Sequence, residues 1–508
     1  MSEEEGIIFG FPAFIGIVLL VATYFWHWSQ RRPAVNFPPG PRGWPIIGNM
    51  LEFANLAPHL AFIQMAEKYG NIFSVKIGSN WAVVLNSAEF IKEAFIKNAV
   101  EFAGRPKIYS TYLLSEGGQD ISFGPYNPKW KLHRKLVHTA FRNFATGNNS
   151  RFENLIFSMT PKVAEILDKK GTEAFDPKDV VSMAIYNFIA QLTFGKQYEF
   201  DDPELVSWRK WSEEFSEVIG IGLVADFFPI LRHLPTRGVA ALKRLSAQFT
   251  AIVEREIENH KEIMTLQPVA EPKDILGTLL QTRQDMIDQG DKDISIISEV
   301  HIRLTILDIC MAGTDASIFT MCWAIACLVD HPEVQEKVQQ EIDRAIGKDR
   351  LPQLDDRGSL PYTESTLCEV MRYSSVAPLA LPHATTEDVT FGGFFIPEGT
   401  WVIPNLYGVH HDKTLWVDPE NFRPEHFLDE SGQLREHQEG FLPFSIGHRV
   451  CVGENLARAE LFLIFTWLFQ NYSFAKPSGM EDKSYSKLDV TTIFAVPDPF
   501  EVTVIKRR

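Results

Sequence analysis

A cysteine in the C-terminal part of the sequence stands in a setting suited to metal ligation. Residues 444–453 read FSIGHRVCVG, and an apolar, helix-forming run begins at Leu456. Cys451 therefore precedes a helix N-terminus, where free N–H groups and the helix dipole lower the pKa of a thiol. Gly447 and Gly453 permit a tight turn and close approach of the backbone to a flat ligand. The pattern predicts that Cys451 is presented as a thiolate to haem iron, where such a ligand favours O–O bond cleavage.

The same stretch carries a family resemblance. Residues 444–453 match every fixed position of the Phe-x-x-Gly-x-Arg-x-Cys-x-Gly signature, so the chain resembles the cytochrome P-450 (cytochrome P450) family. A buried structural cysteine beside a glycine turn would explain an isolated Cys-x-Gly, but not five fixed residues in order. The resemblance implies haem b (heme) as cofactor with Cys451 as the iron ligand. Phe444 is expected to shield the sulfur from water, and Arg449 to meet a carboxylate.

The two propionates of haem need cationic or N–H partners. Trp130 and Arg134 lie four residues apart, so a helix would place an indole donor and a guanidinium on one face. The resemblance adds Arg105, His383 and Arg449 to this propionate-binding set.

A Glu-x-x-Arg pair precedes the cysteine signature. Glu369 and Arg372 are three residues apart on a helical segment, share a face and can pair. In the family this pair locks a buried network with an arginine from a Pro-Glu-Arg-Phe segment, whereas residues 424–427 read PEHF here. His426 donates hydrogen bonds but offers no bidentate fork. We therefore expect an intact lock with fewer arginines.

A further motif, AGTDAS at residues 312–317, lies inside the longest apolar run. Gly313 in mid-helix costs roughly 1 kcal/mol relative to alanine. Close approach of the backbone to O2 above the iron would explain it, and tight helix packing is the alternative. Asp315 needs a partner because a charged group in an apolar helix is costly.

The motif departs from the family pattern Ala/Gly-Gly-x-Asp/Glu-Thr at Ala316, where a threonine hydroxyl is thought to help protonate bound oxygen. Ser317 follows, about 100° around the helix. Three interpretations stay open: a monooxygenase in which Asp315, water and Ser317 deliver protons; an enzyme that cleaves a carbon–carbon bond next to a carbonyl; and an isomerase or dehydratase acting on a preformed peroxide. A non-catalytic haem-binding or sterol-binding protein is a fourth.

The N-terminal segment predicts a membrane anchor. Residues 7–26 (IIFGFPAFIGIVLLVATYFW) are uncharged, and a helix of about 20 apolar residues crosses a bilayer core. Arg31 and Arg32 follow, which places the C-terminal side in the cytosol. A cleaved signal peptide would have a basic beginning and a small-residue cleavage site. We predict an anchor over residues 1–32 and, because of PPGPRG at 38–43, a stiff proline-rich hinge over 33–44.

Residues 45–508 are predicted to form one catalytic domain, because no linker or internal repeat interrupts them. The chain has 508 residues, of which 45% are hydrophobic, so a large core is available. The net charge of −16 argues against nucleic acid as a partner. The five cysteines show no metal-binding spacing and are expected to be reduced. The basic cluster at residues 129–135 is either an ordinary solvated face or a surface for an acidic electron donor.

The elements that must position these residues are mainly helical. Residues 73–77 and 82–85 read as strands, and residues 301–328 as a buried central helix that is apolar nearly all round. Short strands are expected after Ser375, and a hairpin over 488–505. The sequence therefore predicts a mainly α fold with a minor β region, in agreement with the cytochrome P450 fold, preceded by one transmembrane helix.

Within the family, residues 375–383 and 396–406 resemble animal microsomal members, above all steroid 17-alpha-hydroxylase/17,20-lyase and steroid 21-hydroxylase. Aryl-hydrocarbon hydroxylases share the Pro-His-x-Thr-Thr at 382–386 and are the alternative. The resemblance implies a single-pass protein of the endoplasmic reticulum membrane with a cytosolic catalytic domain. Electrons would come from NADPH through the flavins of NADPH-cytochrome P450 reductase, with cytochrome b5 as a second donor.

Substrate contacts are predicted along mostly apolar stretches, which suits a hydrophobic substrate. The steroid-contacting asparagine of the steroid 17-alpha-hydroxylases falls, by a loose alignment, on Ser212 in this chain, which weakens the inference of a steroid substrate. Residues 218–234 are either a second membrane contact or a pair of core helices. The predicted contact regions are 108–122, 212–225, the central helix near Ala312, 377–381 and 490–494.

Overall fold

The computed structural model describes residues 32–53, 56–145, 149–220, 222–234, 236–266, 272–290, 297–486, 488–489 and 494–507. The predicted anchor at residues 7–26 lies outside these ranges. Within them, one helix is long and apolar enough to cross a membrane, Glu299–Asp330, and 78% of its apolar segment is buried inside the protein. That burial makes it the central core helix.

Helices make up most of the described chain. The α-helices are α1 (Pro58–Tyr69), α2 (Ala88–Lys92), α3 (Tyr109–Leu114), α4 (Pro128–Ala145), α5 (Asn149–Phe157), α6 (Thr160–Lys170), α7 (Pro177–Phe194), α8 (Pro203–Gly220), α9 (Val224–Phe227), α10 (Arg237–Leu266), α11 (Ile275–Asp288), α12 (Glu299–Asp330), α13 (Pro332–Ala345), α14 (Pro361–Ser374), α15 (Leu406–His410) and α16 (Glu454–Asn471). A π-helical turn, Glu93–Lys97, extends α2. Short 3-10 helices lie at Met50–Phe53, Pro229–His233, Leu354–Ser359, Pro424–Phe427 and Gly447–Arg449.

The helical core is built around α12. This helix packs against α7, α10, α14 and α16, and it is buried on all sides along most of its length. Apolar residues around the whole circumference, rather than one stripe, favour such a position. The predicted central helix is confirmed, and it begins two residues earlier and ends two residues later than the apolar run.

The β region is small. A four-stranded sheet has the order β1-β2-β6-β3, formed by Ile72–Ile77, Asn80–Leu85, Trp401–Pro404 and His383–Ala384. β1 and β2 pair antiparallel with Ile72 opposite Leu85, and β2 pairs parallel with β6. Both strands predicted near the N-terminal side are confirmed. A separate hairpin joins β4 (Val389–Phe391) to β5 (Phe394–Ile396).

The single hairpin expected over residues 488–505 is wrong. β8 (Leu488–Asp489) pairs with β9 (Val496–Pro497), whereas β10 (Thr503–Lys506) pairs with β7 (Tyr472–Ala475). Pro497 and Pro499 explain the division, because proline donates no ladder hydrogen bond and ends a strand within a sheet.

Candidate active site

Residues 444–453, here called the cysteine loop, are held by contacts to backbone atoms within the loop and in the π-helical turn. The Cys451 N–H donates to the Phe444 carbonyl at 3.0 Å. Gly447 has φ +81°, and a Cβ there would lie 2.0 Å from the carbonyl oxygen of Phe95 in the π-helical turn. Only glycine tolerates that conformation and that approach together. The Cys451 side chain is solvent-accessible, and two residues separate Cys451 from the start of α16 at Glu454.

The pKa of the Cys451 thiol is raised rather than lowered. Although the Cys451 sulfur is solvent-accessible, the protein atoms packed around it reduce its solvation and raise the pKa of its thiol, and Glu454 adds to that increase. A hydrogen bond from the Gly453 N–H and the charge of Arg134 lower the pKa without outweighing burial. The predicted lowering of the pKa by N–H groups at the helix N-terminus is present in the Gly453 N–H, but the net shift of the pKa is upward. Coordination to a metal ion would supply the missing stabilisation, because a coordinating thiol is deprotonated outright.

Three guanidinium groups gather beside this loop. Arg134 donates to the Val450 carbonyl, next to Cys451. Arg449 donates to the carbonyls of Ala103 at 2.9 Å and Gly124 at 2.7 Å, and its guanidinium carbon lies 3.9 Å from the Trp130 ring centroid. The arginines are thus fixed by carbonyl oxygens rather than by carboxylates.

The third guanidinium belongs to Arg105. It donates to the carbonyls of Ser122, Leu381 and Pro382, each at 2.9 Å. His383 is buried, its Nδ1 lies 2.8 Å from the Phe102 carbonyl, and its ring stacks on Phe95 at 4.0 Å. Arg105 and Arg449 are close enough to His383 to lower its pKa, so these side chains form one cluster.

The charge balance of this cluster fits an anionic ligand. Burial, together with Arg105 and Arg134, lowers the pKa of Arg449. The neighbouring acid Asp120 opposes that shift, but burial raises the pKa of Asp120 itself to about 6. Positive charge therefore exceeds negative charge, and two carboxylates of a haem would balance it.

One predicted propionate donor is engaged elsewhere. The indole Nε1 of Trp130 donates to the Ile121 carbonyl at 2.9 Å, and the ring is buried. The prediction of a free indole donor is wrong, because the turn before α4 folds back over the tryptophan. Trp130 instead supports the guanidiniums of Arg449 and Arg134, which lie over its ring at 3.9 and 5.4 Å.

The Glu-x-x-Arg pair forms a fully buried network. Arg372 donates to both carboxylate oxygens of Glu369, at 2.8 and 2.7 Å, and both side chains have 0% exposure. The remaining donors of Arg372 reach the carbonyls of His410 and Pro419. His426 Nδ1 lies 3.1 Å from Glu369, so histidine occupies the place of the usual arginine. This geometry matches the expected lock.

Residues 313–315 of the central helix contact two neighbouring helices, α7 and α8. A Cβ on Gly313 would lie 3.0 Å from Cδ1 of Ile189, so α7 packs closely against this glycine. Asp315 is buried and accepts hydrogen bonds from Ser216 and, at 3.5 Å, from Ser212, both on α8. Burial raises the pKa of Asp315, and the Ser216 hydroxyl opposes the increase. Asp315 thus ties α12 to α8.

Ser317 points to a different helix. Its hydroxyl donates to Oε2 of Glu460 on α16 at 3.2 Å, and both residues are buried. Ala316 is half-buried, its carbonyl accepts from the Thr320 hydroxyl at 2.7 Å, and Ala312 is exposed within the otherwise buried helix. The sequence analysis missed Glu460, although an acid within the apolar run LARAELFLIFTWLF was a visible signal.

Two buried acids that the sequence did not point to, Asp226 and Asp308, accept hydrogen bonds from the predicted substrate region 108–122. Asp226 of α9 accepts from the Ser110 N–H at 2.7 Å and the Ser110 hydroxyl at 2.9 Å, which joins α9 to α3. Asp308 of α12 accepts from the N–H groups of Ile121 and Ser122 at 3.1 and 3.2 Å. Of the predicted contacts at 490–494, residues 490–493 lie outside the described ranges, and Phe494 packs on Phe319 at 5.7 Å.

The basic cluster at 129–135 is not one surface. His133 is buried with Nε2 2.7 Å from the Thr305 hydroxyl, and Arg134 faces the cysteine loop. Lys129, Lys131 and Lys135 stay exposed on α4. These lysines form the remaining cationic face.

Comparison with known proteins gives a consistent result. The family described as Cytochrome P450 matches residues 38–504. A steroid 17-alpha-hydroxylase/17,20 lyase of Squalus acanthias is 36% identical over 86% of this chain and 85% of its own length. The cytochrome P450 1A1 of Macaca mulatta is 35% identical over 94% of both chains. A solved zebra fish cytochrome P450 structure with progesterone has a TM-score of 0.77 and 33% identity, and the match covers 89% of this chain and 100% of that one.

Proposed function

Because the chain belongs to the cytochrome P450 family, we propose that this monooxygenase oxidises a rigid, apolar, steroid-like molecule at the endoplasmic reticulum membrane. The enzyme class, a cytochrome P450 monooxygenase with haem b iron, follows from the family. The observation that carries the proposal is the exposed Cys451 sulfur beside the carbonyl-fixed guanidiniums of Arg105, Arg134 and Arg449. Cys451 would ligate the iron, and the guanidiniums, with His383, would hold the propionates.

Bound haem b supplies the redox chemistry that activates O2 for insertion of one oxygen atom into the substrate. The residues around it position, shield and hold protons. Phe444 is half-buried, lies 4.8 Å from the Arg458 guanidinium and belongs to the cysteine loop, where it is suited to keep water from the sulfur. Ala312 is exposed on α12 and would border the space for substrate. Asp315 or Ser317, with water, would hold the protons that the reaction consumes.

A steroid-like substrate is supported by two features. The predicted contact stretches are apolar, and the carboxylates nearby are already satisfied: Asp226 by Ser110 and Asp308 by backbone N–H groups. A large rigid hydrophobe with few polar groups suits such walls. The relatives include steroid 17-alpha-hydroxylase/17,20 lyases, and the solved zebra fish protein binds progesterone.

An aryl-hydrocarbon substrate is the second candidate. It is favoured by the near-equal identity to cytochrome P450 1A1, at 35% over a larger share of the chain. A planar aromatic would need no polar partner from the walls at all.

Two parts of the chain would attach the protein to the membrane. Residues 7–26 form the uncharged segment already described, and the side chains of Val224, Ile230 and Leu234 are 57%, 78% and 53% exposed around α9. Electrons would come from NADPH through NADPH-cytochrome P450 reductase, with cytochrome b5 as a second donor. The exposed lysines of α4 suit an acidic partner.

The experiment uses the full chain in phospholipid vesicles with the reductase. We expect a thiolate-type Soret band for the reduced CO complex, a spectral shift on titration with progesterone, and an oxidised product that requires NADPH. A shift with a polycyclic aromatic but not with progesterone would select the second candidate. Conversion of an organic hydroperoxide without NADPH or reductase, with no NADPH-dependent product, would contradict monooxygenation and identify an isomerase.

A further inference from the structure

The imidazole of His410, the last residue of α15, bridges two segments that are distant in the chain. The residue is buried. Leu442, two positions before the cysteine loop begins at Phe444, donates its N–H to Nε2 of the ring at 3.0 Å. On the other side of the ring, Nδ1 lies 2.6 Å from the hydroxyl of Ser375, the residue that follows α14. His410 therefore connects the end of α14 with the segment that leads into the cysteine loop.

These contacts admit one protonation state of the ring. Because the Leu442 N–H donates to it, Nε2 must be an acceptor and carries no proton. The Ser375 hydroxyl donates its single proton to the Arg372 carbonyl at 2.9 Å, so it accepts from Nδ1. The ring is therefore neutral, with its proton on Nδ1. Burial, together with His411 and Arg372, lowers the pKa of His410 well below its ordinary value, in agreement with a neutral ring.

The backbone of Ser375 has a conformation that serine seldom adopts. Its φ is +42° and its ψ +57°, the left-handed region in which glycine is the usual residue after a helix. A residue with a Cβ is strained there. Glycine would relieve the strain but would remove the hydroxyl that bonds the His410 ring. The bond to the ring, rather than the end of the helix, accounts for a serine at this position.

Beyond the ring, hydrogen bonds continue into the cysteine loop. The Leu442 carbonyl accepts from the Ser445 N–H at 3.0 Å, and the Phe444 carbonyl accepts from the Cys451 N–H at 3.0 Å. Leu442 is itself buried, so its N–H depends on the ring for a partner. A shift of Leu442 would therefore displace the beginning of the loop that presents the sulfur.

We propose that His410 is a positioning residue, which holds the beginning of the cysteine loop and so keeps the Cys451 sulfur aligned with the iron. The inference rests on the proposed ligation of iron by Cys451 and adds the side chain that aligns this ligand. His410 acts through the Leu442 backbone, as a neutral ring that bonds on both sides. A protonated ring would point an N–H at the Leu442 N–H, so only the neutral form can hold the loop.

The test separates the two bonds of the ring. The amide of asparagine takes the place of Nδ1, whereas the amide of glutamine reaches the place of Nε2. His410→Gln therefore keeps an acceptor for the Leu442 N–H, and His410→Asn does not. In the holoenzyme, we expect hydrogen exchange of the Leu442 amide to be roughly tenfold faster in His410→Asn, because one buried hydrogen bond is lost, and near the wild-type rate in His410→Gln.

The matched control is His411→Asn, at the neighbouring buried histidine. The His411 Nδ1 lies 3.1 Å from the Tyr407 carbonyl, within the same turn of chain, and the two rings stack at 3.9 Å. This substitution removes a buried imidazole without touching the Leu442 bond. Exchange at Leu442 should therefore stay at the wild-type rate.

A second readout is the thiolate-type Soret band of the reduced CO complex. We expect part of the His410→Asn protein to lose this band, and His410→Gln to restore it. A merely structural role predicts instead that both variants lower the free energy of unfolding while the band stays unchanged.

Wild-type exchange at Leu442 together with a wild-type band in His410→Asn would overturn the positioning role. Should His410→Asn fail to fold, Ser375→Ala decides, because it frees the ring at Nδ1 alone; it should speed Leu442 exchange by a smaller factor, and an unchanged rate with an unchanged band would overturn the proposal. A wild-type protein that lacks the thiolate band would instead overturn iron ligation by Cys451, whatever the exchange rates show.

Discussion

Two buried glutamates in this protein have opposite surroundings. Glu369 has 0% side-chain exposure and is met by Arg372, His426 and the Arg423 N–H. Glu460 has 1% exposure and is met by one serine hydroxyl. A fully paired carboxylate fixes the loops around it, whereas an unpaired one stays protonated and can give up its proton. The comparison shows that burial alone does not reveal the role of an acid, and that its partners do.

The largest effect is expected from removing the cation that pairs with Glu369, because it should destabilise the folded protein. Arg372→Leu leaves a buried carboxylate without its guanidinium, and we expect a loss of about 3–5 kcal/mol in the free energy of unfolding and poor retention of haem. Urea unfolding and the haem absorbance of the purified protein measure both effects.

The matched control is Arg423→Gln in the adjacent segment. The Arg423 side chain pairs with Asp418, and both are largely exposed, at 43% and 62%. Its loss should cost less than about 1 kcal/mol. Equal losses for the two variants would contradict the special role of the buried pair.

The surroundings of Glu460 should instead make the stability of the protein depend on pH. Between pH 5 and 8 the unfolded chain ionises Glu460 while the folded protein keeps it protonated, so this residue's contribution to stability falls as pH rises. Glu460→Gln removes that penalty. Relative to wild type, its urea midpoint should therefore increase from pH 5 to pH 8, by an amount equivalent to at most a few kcal/mol.

The control for that series is Thr314→Val, which removes no titrating group. Its difference from wild type should stay constant across the same pH range. A constant difference for Glu460→Gln as well would mean that Glu460 is ionised in the folded protein.

Asp315 is an intermediate case: it has two serine partners, forms no ion pair within the part of the chain that the structure describes, and is influenced by the charge of Lys178. Asp315→Asn keeps an acceptor for one serine hydroxyl, and the other hydroxyl can accept from the new amide N–H, so we expect a stability loss of about 1 kcal/mol or less. Because Ser212 and Ser216 lie on α8, the larger change should be in substrate affinity, measured by spectral titration. A tenfold fall in coupling at unchanged affinity would place Asp315 in the proton route instead.

The parts of the site that depend on local spacing could be predicted from the sequence. Glu369 and Arg372 are three residues apart on one helix, and their pairing follows from helical geometry. The cysteine loop likewise depends on glycines within it, of which Gly447 has the positive φ that the turn requires.

The parts that depend on partners from distant segments could not. The direction of Asp315 is set by Ser216, 99 residues away, and that of Ser317 by Glu460, 143 residues away. The Trp130 indole was assigned to a propionate because its helix face was known, but the preceding turn that occupies it was not. Helical periodicity predicts on which side of a helix a residue lies. Its contact partner is decided by the segments that pack against that side.

The bond from Arg134 to the Val450 carbonyl spans 316 residues, and this has a consequence for biosynthesis. On the ribosome Arg105 and Arg134 are made long before the cysteine loop, which carries Arg449. Contacts of such large sequence separation form slowly and leave apolar surfaces exposed in the meantime. The haem pocket therefore closes late, and capture of haem is expected to follow release of the chain. Haem supply during that interval should govern how much of the newly made protein matures and how much is degraded.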